Sequence, residues 1–384
     1  MPYAAVPSPA SNNSGSSLYV GLMSGTSLDG IDGVLADFSL PVRPRVLAQA
    51  QRSFSVDLRS DLLDLTQPGI NELERAAHLS QTLSSLYAEV VHELVQRGGQ
   101  GNFSVAAVGC HGQTVRHRPE QGFSLQLVNG ALLAELTGMT VITDFRSGDI
   151  AAGGQGAPLV PAFHEALFRH SSIPRLILNL GGIANLTLLI PGRVTRGYDI
   201  GPANLLMDGW IGRCLGQAFD REGGWAAQGH CHPVLLESLL AHPFFQRSAP
   251  KSTGREDFSL EWLAEHGEWV FSLPPEDVQA TLLELTARSV AAVVQAECRE
   301  HRGTELYLCG GGALNTQLTK RLRILMPEVR VGRTEDLGVP VQQVEALAFA
   351  WLAWARVQGK AGNLPEVTGA RHGVVLGALY SPPS

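Results

Sequence analysis

The sequence has no run of basic residues: 29 Lys and Arg stand against 36 Asp and Glu, a net charge of -7 over 384 residues. A nucleic acid backbone needs clustered cations, so no nucleic acid partner is expected. Cysteine is sparse, and Cys110, Cys214, Cys231, Cys298 and Cys309 are odd in number, scattered and without a Cys-x-x-Cys pair. That excludes a zinc or dithiol framework and fits the reducing cytoplasm. His230 and His232 have no second pair to complete a tetrahedral ion site. No apolar run approaches the roughly 20 residues that span a bilayer, so no membrane location is expected. The first 17 residues contain no Lys, Arg or apolar core, which argues against a signal peptide and for a disordered polar tail. The absence of a short-period repeat excludes a solenoid or propeller. No helix-turn-helix precedes the first strand, and no Gly-Lys-Ser/Thr ending marks a Walker A loop.

What is present is ordinary globular composition, 44% hydrophobic and 17% charged, with a generous 42 glycines. The length exceeds one compact core, so two lobes with a cleft between them are expected. Residues 18–22, 33–38 and 46–56 read as three strands of an antiparallel opening. Asn71 and Glu74 have the spacing of a capping box; Leu79, Leu83, Leu86, Tyr87, Val90, Val91 and Leu94 then repeat at helical period up to Gly98. Apolar runs at 105–108, 141–142, 176–180 and 306–308 are followed by glycine or polar loops, with helical patterns between. The class is α/β with mixed sheets. Strand-like segments end in Gly/Ser/Asp loops at 23–30 and again at 198–204, a loose duplication in which each lobe brings one loop to a shared cleft.

Several segments carry chemistry. Residues 21–32 combine Gly25 and Gly30 with Thr26, Ser27 and the carboxylates Asp29 and Asp32. Phosphate needs closely approaching backbone N–H donors, and magnesium needs hard oxygens that usually act through water; a polar hairpin turn is the plainer alternative. In residues 197–208, Asp199 ends a strand before Gly201 and Pro202 open an apolar helix. Asp199 is thus a candidate general base, with the helix N-terminus facing phosphate, or else a mere helix-start residue. Residues 143–161 set Arg146 and Asp149 ahead of a glycine-dense stretch containing Gln155, which suits a substrate loop because ordering glycine costs entropy. His111, Gln113 and Thr114 follow a strand with donors and acceptors for a polyhydroxylated ligand, or as satisfied surface groups. Gly310, Gly311 and Gly312 form a turn between a strand and a helix start at Asn315, where backbone can approach a flat ring or a ribose. The glycine hairpin at 179–185 admits structural and functional readings alike.

The order and wording of these segments resemble the anhydro-N-acetylmuramic acid kinase family. The match runs from about Tyr19 to about Tyr380 through residues 23–32, 110–116, 144–161, 179–185, 198–204, 250–256, 310–315 and 345–353. The resemblance implies a two-lobed actin, chaperone and hexokinase type of fold (ribonuclease H-like) with ATP in the interlobe cleft. Residues 18–143 with about 360–384 would form lobe I, and 144–359 lobe II. It implies a phosphate loop of Gly25, Thr26, Ser27, Leu28, Asp29, Gly30, Ile31 and Asp32. Further ATP contacts would come from Gly201, Gly310, Gly311, Gly312 and Asn315, and Mg2+ would lie near Asp29 and Asp32 through water. The sugar, 1,6-anhydro-N-acetylmuramic acid, would meet His111, Gln113, Thr114, Arg146, Asp149, Gln155 and Glu345. Asp199 would activate water to open the anhydro ring while the freed 6-oxygen takes the γ-phosphoryl group, with Asp149 as rival base. A homodimer is compatible with this reading. The alternatives are a kinase for another amino sugar or hexose on the same fold, or an ATP-switched binding protein.

Overall fold

Side chains alternate between the two faces of a strand, and the apolar ones here use both faces. The computed structural model describes residues 16–25, 27–98, 104–249, 251–254 and 257–383; the polar tail up to residue 15 lies outside them. Its strands are β1 (Leu18–Ser24), β2 (Gly30–Asp37), β3 (Arg45–Ser53), β4 (Val105–Arg118), β5 (Phe123–Leu127), β6 (Val141–Thr143), β7 (Arg175–Leu180), β8 (Ile183–Leu189), β9 (Arg196–Pro202), β10 (Glu305–Cys309), β11 (Arg330–Arg333) and β12 (Ala378–Tyr380). One sheet runs β12-β6-β4-β1-β2-β3 with β5 beside β4; the other runs β11-β10-β7-β8-β9. In each, an antiparallel meander is extended on its first strand by parallel strands, β4 and β6 on β1, and β10 and β11 on β7.

The two sheets therefore share one strand order, as a duplication requires. The loops correspond differently from the expectation, however. The counterpart of the β1–β2 loop is the β7–β8 hairpin at Gly181 and Gly182, whereas residues 198–204 belong to the end of β9 and the helix that follows.

Alternation sorts the apolar residues into layers. Val20 and Leu22 face away from Tyr19, Leu176 and Leu178 away from Ile177, and Leu306 and Leu308 away from Tyr307. Helices Val56–Asp64, Glu72–Arg97 and Gly130–Thr137 cover the outer face of the first sheet. Helices Asn204–Leu215, Pro275–Cys298 and Thr316–Leu325 cover the outer face of the second. Between the sheets lie Val160–Phe168 and Val344–Val357, packed on Tyr19, Val34, Ile177 and Tyr307. The helix at 72–97 buries Leu83, Tyr87, Val90, Val91 and Leu94 as its period predicts, and a side chain such as Leu83 or Leu94 contributes about 1.5–3 kcal/mol.

Three local expectations change. Asn71 adopts a left-handed backbone and makes no side-chain cap; its amide donates to Glu74 at 2.8 Å. Val56 begins a helix rather than ending β3, because the Ser55 hydroxyl accepts from the Leu58 N–H and caps it. β4 continues through residues 110–118, so His111, Gln113 and Thr114 stand on a strand and not in a loop.

The helix Val344–Val357, placed by sequence in lobe II, instead lies directly on the backbone of the first sheet. A Cβ on Gly21 would fall 1.9 Å from the Ala346 carbonyl oxygen, and one on Gly109 would fall 2.2 Å from that of Phe349. We expect Gly21→Ala to force this helix off β1 and to destabilise the fold by roughly 1–3 kcal/mol or more, read as a lowered Tm in thermal unfolding.

Candidate active site

The interior faces of the two sheets meet polar residues at one end of the central layer. Asp32 is in step with Val34 and Ala36 on β2, and His111 with Ala107 and Gly109 on β4, so both face inward. On the second sheet, Asn179 pairs with Asn185, and Asn185 with Asp199, forming one row across β7, β8 and β9. The first turn of the central helix adds Glu345. The Asn179 amide donates to Glu345 at 3.4 Å, and the Asn185 amide to Asp199 Oδ1 at 2.8 Å. Asp199 Oδ2 accepts the Ser252 hydroxyl and the Thr253 N–H, each at 3.1 Å.

Burial shapes the charges. His111 is buried with its ring tilted against Phe349, centroids 4.7 Å apart; burial and then the Arg146 cation push it down to about 3, so it is a neutral acceptor for Arg146 at 2.8 Å. Burial lowers Arg146 to about 10 against the pull of Glu345 and Asp149. Burial first, and Asp32 second, raise the Glu345 carboxyl above its ordinary range. Asp32 itself is raised to about 6 by burial and by Asp29. Asp208, on the helix Asn204–Leu215, is raised to about 7 by burial and then by Asp29 and Asp220.

The residues expected at ligands divide into two groups. Asp32, Arg146 and Glu345 act on one another's charge, Asp29 acts on Asp32, and Asp199 stands in the row that Asn179 and Asn185 continue from Glu345; Ser27 and Gln155 are exposed, and Thr26 lies outside the described residues. Leu28 and Ile31 are buried core residues, so their side chains face away from any ligand. Gln113 is fully buried and braces the β1–β2 loop by donating to the Gly25 carbonyl at 3.1 Å, while Thr114 accepts from Gln126 at 3.2 Å. Asp149 is fully buried: its carboxylate accepts the Gly156 N–H at 2.7 Å, the Asn363 amide at 2.6 Å and the Thr368 hydroxyl at 2.7 Å. It clamps the glycine loop, and both its oxygens are engaged by the protein. Asn315 caps the helix Thr316–Leu325 through the Leu318 N–H. Gly201 leaves room for Phe245, 2.8 Å from where its Cβ would stand. The N-terminus of the helix Asn204–Leu215 is not free for phosphate either, because the N–H groups of Ala203, Asn204 and Leu205 donate to the Gly181 and Gly182 carbonyls.

Sequence reading missed Asn185, Ser252, Thr253 and Asp208. Once the 179–185 segment is a hairpin, its two asparagines must share a face, and that was the available signal for Asn185.

A polyphosphate needs closely approachable backbone. A Cβ on Gly25, Gly181, Gly182 or Gly311 would meet its nearest neighbour at 3.6, 3.6, 3.7 and 3.9 Å respectively, ordinary van der Waals distances, so packing alone does not demand glycine at these four turns. Gly310 and Gly312 are glycine for packing instead, against the Asn179 side chain at 2.3 Å and Leu180 at 2.7 Å. Among the described residues no three His, Cys, Asp or Glu side chains gather to hold a metal. A divalent cation here would need ligand oxygens and water besides Asp29 and Asp32, the habit of magnesium.

The folded protein holds the Asp208 proton more tightly than the unfolded chain does. The stability this lends is complete below its unfolded value of 3.8 and is lost as pH rises through about 7. Asp208→Asn should therefore match the parent near the acid end and exceed it above neutrality, by on the order of 1–3 kcal/mol after solvent screening, in denaturant titrations across that range.

Residues 17–382 match the family described as anhydro-N-acetylmuramic acid kinase. A relative of that name from Nitrosomonas europaea is 52% identical over 366 residues, 94% of this chain and 99% of its own. Another, from Bordetella pertussis, is 53% identical over 367 residues, 94% of this chain and 96% of its own. A solved ROK family glucokinase from Streptomyces griseus, in complex with glucose and AMPPNP, is 14% identical and covers 87% of this chain and 99% of that one, with a TM-score of 0.39, too distant to assign any residue. With one family spanning nearly the whole length and relatives at more than half identity, the chain belongs to the anhydro-N-acetylmuramic acid kinase family.

Proposed function

We propose that this kinase hydrolytically opens the 1,6-anhydro ring of 1,6-anhydro-N-acetylmuramic acid and transfers the γ-phosphoryl group of ATP to the 6-oxygen. The products are N-acetylmuramate 6-phosphate and ADP, and the setting is cytoplasmic recycling of cell wall. No helix among the described residues is long and apolar enough to cross a membrane.

The observation that carries the reading is the placement of Asp199. It is a carboxylate held in the middle of β9, not at its end as the sequence suggested, because pairing with β8 continues through Gly201 and Pro202; it stands in one row with Asn185, Asn179 and Glu345. Asp199 takes a proton from water as the water oxygen bonds to the anomeric carbon. The bond from that carbon to the 6-oxygen breaks, and the 6-oxygen bonds to the γ-phosphorus as ADP leaves. The loop from Gly25 to Asp32 and the turns at Gly181, Gly182 and Gly311 hold the phosphates, and Arg146 and Glu345 orient the sugar. Magnesium held through Asp29 and Asp32 would supply charge neutralisation on the phosphates. Neutral His111 fixes the Arg146 guanidinium without competing for its charge.

Two assays test this. Asp199→Asn should leave ATP binding largely intact and lower turnover at least about a hundredfold; in oxygen-18 water the parent should place label in the sugar phosphate, and unlabelled product would overturn ring hydrolysis. In competition at equal concentrations, the anhydro sugar should be consumed ahead of glucose and intact N-acetylmuramic acid, because its closed ring fixes the anomeric carbon and 6-oxygen in one geometry. Preferential use of glucose would favour a hexose kinase.

A further inference from the structure

We infer that Asn185 and Ser252 are positioning residues that aim the Asp199 carboxylate at its water, an assignment that rests on Asp199 being the base. An ionised carboxylate has about four lone-pair positions. Three are filled here: one on Oδ1 by the Asn185 amide, and two on Oδ2 by the Ser252 hydroxyl and the Thr253 N–H. The group cannot rotate, and the position left over belongs to Oδ1.

The donors are held from independent directions. Asn185 reaches Asp199 only because the β8–β9 register slips between Ala184 and Asn185: Ala184 pairs with Gly201 and Asn185 with Asp199, passing over Ile200. Without that bulge Asn185 would oppose Ile200, whose side chain is in the outer core of the second sheet. Bulges commonly re-aim a side chain in this way. The Ser252 segment is tied down separately: the Asp199 N–H donates to the Lys251 carbonyl at 3.0 Å, Lys251 Nζ to the Phe244 carbonyl at 3.1 Å, and the Thr253 hydroxyl to Asp257 at 2.7 Å. Ser252 is itself exposed, so its hydroxyl does no core packing. Its own lone pairs remain available to a water shared with Asp199.

The test compares Asn185→Ala, Ser252→Ala and Ser252→Thr with the parent and with Asp199→Asn, measuring kcat, both KM values and Tm. Asn185→Ala and Ser252→Ala should lose about ten- to a hundredfold in kcat, the scale of a small misplacement. KM for ATP and for sugar, and Tm, should stay near the parent, the pattern of an interaction used in the transition state. Ser252→Thr, which keeps the hydroxyl, should recover most of the loss. A parental kcat in both alanine variants, or losses that follow a fall in Tm, would overturn the positioning role while an inactive Asp199→Asn left the base in place. Full turnover by Asp199→Asn would overturn the base and this role together.

Discussion

The helix Val344–Val357 rests on bare backbone of β1 and β4, and the cleft is laid out from that contact. Gly21 and Gly109 leave no side chain between helix and sheet, so the helix cannot slide or rise without losing its whole seat. Its other side chains, among them Phe349 and Trp351, fill the layer shared with the second sheet. One apolar element therefore sets the spacing of the sheets and, through its first turn, delivers Glu345 to the polar row that ends at Asp199. Chemistry at the mouth inherits its precision from close packing a few residues away.

Two aspartates with similar sequence surroundings meet opposite fates. Asp149 has every oxygen engaged by the protein and no exposure, as a buried polar group must. Asp199 is gripped as firmly but from one side, and keeps access to the cleft. One carboxylate has a lone pair left unfilled and the other has none exposed, and the partners around them are what distinguish the two. Around them the cleft holds more carboxylates than cations, with Arg146 as the positive charge buried among Glu345, Asp149 and the neutral His111.

The strands, the long helix and the mixed sheets were legible because apolar period is a local property: Leu83, Val90 and Leu94 need no partner to announce a face. The turn between β1 and β2 was legible for the same reason, its glycines and acids lying within a few residues of one another. What escaped was anything fixed by register or by distant chain. Asn185 and Asp199 meet only through a bulge, and Gln113 turns inward because β4 runs on past the point where its apolar run stops. Asn315 has the same residue type for a cap as for a ligand, and composition cannot separate the two uses.

The clamp on Asp149 joins positions more than two hundred residues apart, since its partners Asn363 and Thr368 come near the end of the chain. β6 likewise waits for β12, and β1 and β4 wait for the helix at 344–357. During synthesis, then, the first sheet is made early but stays open on its inner face until residues 344–380 have been made. Completion of that sheet runs against the order of translation: its seat and clamp come from a segment made after every strand of the second sheet.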